Sequence, residues 1–293
     1  MNLLHDFSHS LAWGEPRNFG SLTLTPIHHQ LTLENDYLSL DQALEFGVAE
    51  IQEVSESGSV RQVSINNFSD NYLILFDGDA LKGAKQNRIL DQTVVIPPKT
   101  SSTIPVNCVE QGRWAHQSRQ FASADFKAPP SMKRAKTNLK KMGMENRVQS
   151  EVWNCVSELS ESLHERSSSG DLWEVMSKAE IRSEGLTEYL RDMDCEGFLI
   201  QGSGPAFVEI FPRKADCKTW SLKSYKGWQA DSYRAKGFPI YTRDTIVEMM
   251  QTSQWSRAQN VGDEASYQSS DQHDGRLTYH EGKLLHVYWS MAN

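Results

Sequence analysis

Several things are scarce in this sequence. It has four cysteines in 293 residues, Cys108, Cys155, Cys195 and Cys217, widely spaced and without a CxxC pair. A disulfide framework is not expected, and the cysteines read as reduced thiols of a cytoplasmic protein. No apolar run approaches the ~20 residues that a membrane span needs, and the mean hydropathy is −0.56. The opening stretch MNLLHDFSHSLAWGEPRN has neither a basic cluster nor a long apolar segment, so no secretory leader is expected. Excess positive charge is missing too. Thirty basic residues face 38 acidic ones, a net charge of −8, which excludes a globally cationic nucleic-acid or membrane binder and leaves only local basic stripes. The nine histidines show no recognised ligand spacing. HExxH, GxSxG, a P-loop lysine and a dinucleotide fingerprint are all lacking, so no motif names a metal or cofactor.

A hydrophobic fraction of 38% is enough for a real core in one large domain or two ordinary ones. Residues 20–114 read as short strands. Leu22 and Leu24 alternate with threonines, Val63 and Ile65 are apolar among polar neighbours, Tyr72 to Phe76 is continuously apolar, and Thr93 to Ile96 is β-branched before Pro97-Pro98. This pattern predicts a β-sandwich-like or partly open barrel arrangement. One helix interrupts it, started by a Ser39–Gln42 capping box and stopped at Gly47. Residues 115–143, with Pro129-Pro130 and a basic tail of Lys133, Arg134, Lys136, Lys140 and Lys141, read as a linker or active-site loop. Residues 144–293 read as α+β. Val148, Val152, Cys155, Val156 and Leu159 share one helical face, Gly197 to Phe211 forms a hairpin turning at Gly202-Ser203-Gly204, and Leu277 to Trp289 forms another. The fold class expected is therefore α+β, a β-sandwich-like N-terminal half joined to an α+β C-terminal half.

Two stretches carry the chemistry. In the first, Gly83-Ala84 precedes Lys85, Gln86, Asn87 and Arg88. Small residues permit close approach, and two cations with two amides suit a phosphate or carboxylate plus a base or sugar hydroxyl. An extended chain would send Lys85 and Asn87 one way and Gln86 and Arg88 the other. The alternative is a polar hairpin edge that resists aggregation. The second stretch is Ile104-Pro-Val-Asn-Cys108-Val-Glu110-Gln-Gly-Arg113-Trp114. Strand alternation sets Glu110 at the rim of an apolar face, where it needs Lys85, Arg88 or Arg113 as a partner and, uncompensated, would serve as a general acid or base. A structural ion pair is the competing reading. Cys108 is a weaker candidate nucleophile, since a thiol in an apolar strand is ordinarily a small core residue. Arg113 is the better ligand contact and Trp114 either stacks on a ring or seals the sheet.

The runs GAKQNRIL and IPVNCVEQGRW, with the upstream LDQALEFG and VSESGSV, resemble one family, the ARG and Rhodanese-Phosphatase-superfamily-associated protein domain, where ARG is ADP-ribosylglycohydrolase. The motifs G-A-K-Q-N-R and C-V-E-x-G-R-W cover the first 115 residues well, and Val152-Trp153 and Phe211-Pro-Arg213 echo it further on. The resemblance implies a role near ADP-ribose, NAD-derived nucleotides or nucleic-acid ends. It implies an ADP-ribosylglycohydrolase or a rhodanese-like phosphatase as partner, and brings no catalytic assignment.

Together these give one leading expectation: recognition of a phosphorylated nucleotide-type ligand, with processing if the site is catalytic. Lys85, Arg88 and Arg113 would hold anionic oxygens, Gln86 and Asn87 would read hydroxyls or a base, and Glu110 would move the proton. Two rivals remain. One is a non-catalytic adaptor whose polar motifs are structural pins. The other is a nucleic-acid-end binder using the basic run from Lys127 to Lys141 with Phe121 and Phe126.

Overall fold

The computed structural model describes residues 3–30, 36–179, 181, 185–202, 204–234 and 238–291, and within them eight α-helices and eighteen strands in three sheets. The class is α+β. Ser203, at the tip of the expected Gly202–Gly204 turn, lies outside the described residues.

The first sheet runs Phe121–Lys127, Asp79–Gly83, Arg88–Leu90, Ser101–Cys108, Gln62–Asn67, Ala49–Glu53 in spatial order, antiparallel throughout. It curls until Gln52 bridges Gln120, making a half-barrel. Alternation puts Val63, Ile65, Ile104 and Val106 inside it. A small second sheet, Tyr37–Ser39, Tyr72–Leu75 and Val94–Ile96, lies between the half-barrel and the third sheet. Leu73, Leu75, Val94 and Ile96 join the half-barrel core, while Ile74, Phe76 and Val95 join the core on the other side. Burial on both faces explains why these two strands are continuously apolar.

The third sheet has nine strands and draws on both ends of the chain. Leu22–His28 pairs with Gly197–Gln201, which is followed by Phe207–Ile210, Lys283–Ser290, Asp274–His280, Ala265–Ser269 and Trp255–Arg257. The boundary expected between residues 20–114 and 144–293 is thus crossed by a five-residue antiparallel register, Thr23↔Gln201 to Ile27↔Gly197. The helix Lys214–Arg234 lays Trp220 and Trp228 against Phe198 and Phe211, and leaves Tyr233 exposed. The helix Val148–Ser162 packs its predicted face on Ala80, Ile89 and Val109. The capping box at Ser39 forms in both directions. No helix among the described residues is long and apolar enough to cross a membrane.

Residues 115–143 are not a linker. They contain the strand Phe121–Lys127 and the helix Pro130–Lys141, with Pro130 in the first turn, where its missing N–H does no harm. The basic run is not an exposed stripe either, and Phe121 and Phe126 are buried. Lys133, Lys136 and Lys140 face inward at helical spacing, each onto a carboxylate: Glu209, Asp77 and Asp91 respectively. Lys127 pairs with Asp79, and Lys141 reaches Asp274 at 3.1 Å. Burying such charges is tolerable only because they are paired.

Candidate functional site

Lys85 to Asn87 form the turn between the strands Asp79–Gly83 and Arg88–Leu90, and are not extended. The cause is local: Gly83 has φ +115° and Ala84 φ +41°, so the chain reverses in the left-handed region. Asn87 Oδ1 accepts from Gly83 N at 2.9 Å and closes the turn. Its Nδ2 donates to both carboxylate oxygens of Asp171, at 3.0 and 3.1 Å. Asp171 also caps the helix Leu172–Lys178 by accepting from Trp173 N. Burial raises the Asp171 carboxyl above its ordinary range, with the Asn87 hydrogen bonds opposing and Glu110 adding to the rise.

Arg88 is fully buried. Its Nη1 donates to Gln86 Oε1 at 2.9 Å and lies against Cys108 Sγ, and its Nη2 reaches Ser59 O at 3.2 Å and Glu53 Oε1 at 3.4 Å. Glu110 takes both arms of Arg113, at 2.8 and 2.6 Å, and accepts from Asn87 N and Ser169 Oγ. Arg113 donates onward to the Ala84 and Ala115 carbonyls. Gln86 Nε2 donates to Gln111 O. Cys108 is held by Gln149, which exchanges two hydrogen bonds with its backbone at 2.8 and 2.9 Å. Burial pushes the Cys108 thiol up to about 11, with Arg88 only partly offsetting it. A thiol of that basicity is almost wholly protonated at neutral pH. Trp114 is the exposed member, its ring 5.5 Å from both the Lys85 ammonium and the Arg88 guanidinium.

The structure therefore brings all eight predicted residues together, and the same hydrogen bonds occupy most of their polar groups within the chain. Arg213 is elsewhere, paired with Asp216 and bonded to Tyr37 O.

A different place has open polar groups. Where the outer face of the half-barrel meets the far end of the nine-stranded sheet, a groove of about 570 Å³ opens. Four cations line it, Arg61, Lys140, Arg257 and Arg276, against two carboxylates, Asp91 and Glu145. Six amide side chains join them, among them Gln62, Gln92, Asn107 and Gln268. Its floor is Asp91, which accepts from Asn107 Nδ2 at 2.8 Å and pairs with Lys140. Against the burial that would raise it, Lys140, Lys136 and Arg276 hold the Asp91 carboxyl well below the usual range. Three cations sharing one anion leave the lysine less well served. Burial, helped by Arg276 and Lys136 and opposed by Asp91, pushes Lys140 down to about 8.

Arg276 is only 7% exposed. Among the described residues its guanidinium makes one hydrogen bond, Nη1 to Gln92 Oε1 at 3.3 Å, and no carboxylate ion pair. Arg257, at the rim, has neither. One wall is tied down by hydrogen bonds of the chain itself. Glu264 accepts from Val261 N, Gly262 N and Val95 N, and a Cβ on Gly262 would collide with the Val95 carbonyl. Gln92 Nε2 holds Gln259 O at 3.2 Å.

Sequence reasoning missed this groove because its residues come from separate segments, near 61, 91–107, 140–148 and 257–276. The one local hint is the polar run Arg257-Ala-Gln-Asn260.

The family model for the ARG and Rhodanese-Phosphatase-superfamily-associated Protein domain matches residues 10–289. The chain belongs to that family. Its name records association with ADP-ribosylglycohydrolases and the rhodanese-phosphatase superfamily. No curated protein and no solved structure matches the chain significantly. In this family member the match takes in the motif turn, the Lys133–Lys141 helix and the groove alike. The helix at 130–141 and the sheet around 274–290 thus lie within the family match together with the N-terminal motifs.

Proposed function

We propose that this protein binds a phosphorylated small molecule of nucleotide type, such as ADP-ribose or an NAD-derived nucleotide, in the groove beside Arg276. The observation that carries the reading is the state of that side chain. A guanidinium set in the groove wall with a single hydrogen bond, no ion pair and its other nitrogens still reached by solvent has donors to offer an anionic ligand. The volume falls within the ~300–1,000 Å³ of small-molecule sites. The amides suit hydroxyls and a base, and the family's association with ADP-ribosylglycohydrolases points to the same ligand class. In this reading the GAKQNR and CVExGRW residues are the pins that hold the half-barrel wall, and a partner enzyme would act on the ligand that the groove receives.

A thermal-shift panel of ADP-ribose, NAD, AMP, inorganic phosphate and a short RNA tests it. A nucleotide at a hundred times its Kd should raise the melting temperature by roughly 5 °C. The rise should vanish in Arg276→Gln and survive in Lys85→Ala. A flat panel with folded protein would favour the adaptor reading.

A further inference from the structure

We propose that Lys140 is a nucleophile that forms an imine with the free carbonyl of a phosphorylated aldose held in the groove. This rests on the groove reading above and adds a covalent step to it.

Lys140 supplies the only primary amine among the residues that line the groove; the other three cations are arginines. Its helix ends there, the side chain is 14% exposed, and its Nζ pairs with Asp91. The deeper Lys136, 3.9 Å from the same carboxylate, is sealed off at 2%. Arg276, Arg257 and Arg61 line the same groove with groups suited to a phosphate, and the amides of Gln62 and Gln268 are suited to sugar hydroxyls. A phosphorylated sugar with an open-chain aldehyde presents that combination: an anion, hydroxyls and an electrophilic carbon.

The step balances without a further reactant. The nitrogen lone pair forms a bond to the carbonyl carbon while the C=O π pair moves to oxygen. The nitrogen gives up two protons to that oxygen, which leaves as water. The ammonium and the aldehyde thus become a protonated imine and water, with one positive charge before and after. Asp91 pairs with a cation at both ends of the step, so no buried charge is left alone. The lowered basicity of Lys140 helps. At neutral pH about a tenth of such amines are neutral, against well under a thousandth for an ordinary lysine, and the neutral amine is the attacking form.

The test is borohydride trapping on the full chain with ribose 5-phosphate, followed by peptide mapping, alongside thermal shifts with ribose 5-phosphate and with AMP, which lacks a free carbonyl. The expected result is a reduced adduct at Lys140, at least about tenfold above any other lysine. It should be lost in Lys140→Arg, which keeps the cation for Asp91, and suppressed by AMP. Stabilisation by both ligands with no adduct, or with adducts spread evenly over exposed lysines, overturns the imine and leaves the groove reading standing. No stabilisation by either ligand overturns both.

Discussion

Arg276 and Arg88 are both buried, and their surroundings are opposites. Arg88 has Gln86, Cys108, Ser59 O and Glu53 around its terminal nitrogens and only Nε sealed off without a partner, whereas Arg276 hydrogen-bonds Gln92 alone and its other nitrogens still meet solvent. A structural arginine and a ligand-binding arginine should respond to substitution in different ways. Arg276→Gln should change the stability of the unliganded protein by under about 1 kcal/mol, because it removes one 3.3 Å hydrogen bond and a longer-range attraction to Asp91 and Asp77. Urea unfolding of the free protein measures this.

Arg88→Ala should behave differently. It strands Glu53, whose side chain is 4% exposed and whose Oε2 has no hydrogen-bond partner. The expected loss is about 3–5 kcal/mol. Pairing it with Glu53→Gln should recover part of that loss, while Lys85→Ala alone should cost under about 1 kcal/mol. A double-mutant cycle in urea checks all three.

The lysine helix makes a parallel case. Lys133 lies between Glu209 and the faces of Trp220 and Tyr288, and Glu209 also bonds His286 at 3.2 Å and Trp220 Nε1 at 3.2 Å. Lys133→Met should destabilise the protein by about 3–5 kcal/mol, and adding Glu209→Gln should restore a good share of it, since the isolated buried charge is then gone. Equal loss in the single and double variants would show that the charge pair itself contributes little.

Asp231 gives a pH signature. It accepts from Ser131 N and Oγ, at 2.9 and 2.6 Å, and burial raises its carboxyl to about 6 in spite of those bonds. Its folded pKa lies above the unfolded ~3.9, so the folded state binds the extra proton. The contribution is full below about pH 4 and is lost as the pH rises through 6, roughly 3 kcal/mol in all. Relative to the wild type, Asp231→Asn should therefore gain stability between pH 5 and 7.5, which melting curves at the two pH values will show.

The legible parts of this fold are those whose signals are local. The Ser39–Gln42 box, the apolar face of Val148–Ser162 and the hairpin of Asp274–His280 with Lys283–Ser290 each need only neighbouring residues. The helix Pro130–Lys141 escaped because its inward face is made of lysines, and a periodicity of charge reads as a solvated surface until its partners are placed. Pairing of Leu22–His28 with Gly197–Gln201 has no local signature at all. The motif cluster was visible as a cluster: Glu110 has the cation it was expected to need, in Arg113. What the sequence did not display is that Arg88, Asn87 and Glu110 spend most of their polar groups inside the chain, whereas Arg276, flanked by unremarkable residues, spends one hydrogen bond there.

The most direct measurement is diffraction from crystals grown with ADP-ribose. Ligand density is expected in the groove, with a phosphate on the Arg276 guanidinium and the Arg88–Glu110 cluster unchanged. Density seated instead among Lys85, Arg88 and Trp114, with the groove bare, would contradict the groove reading.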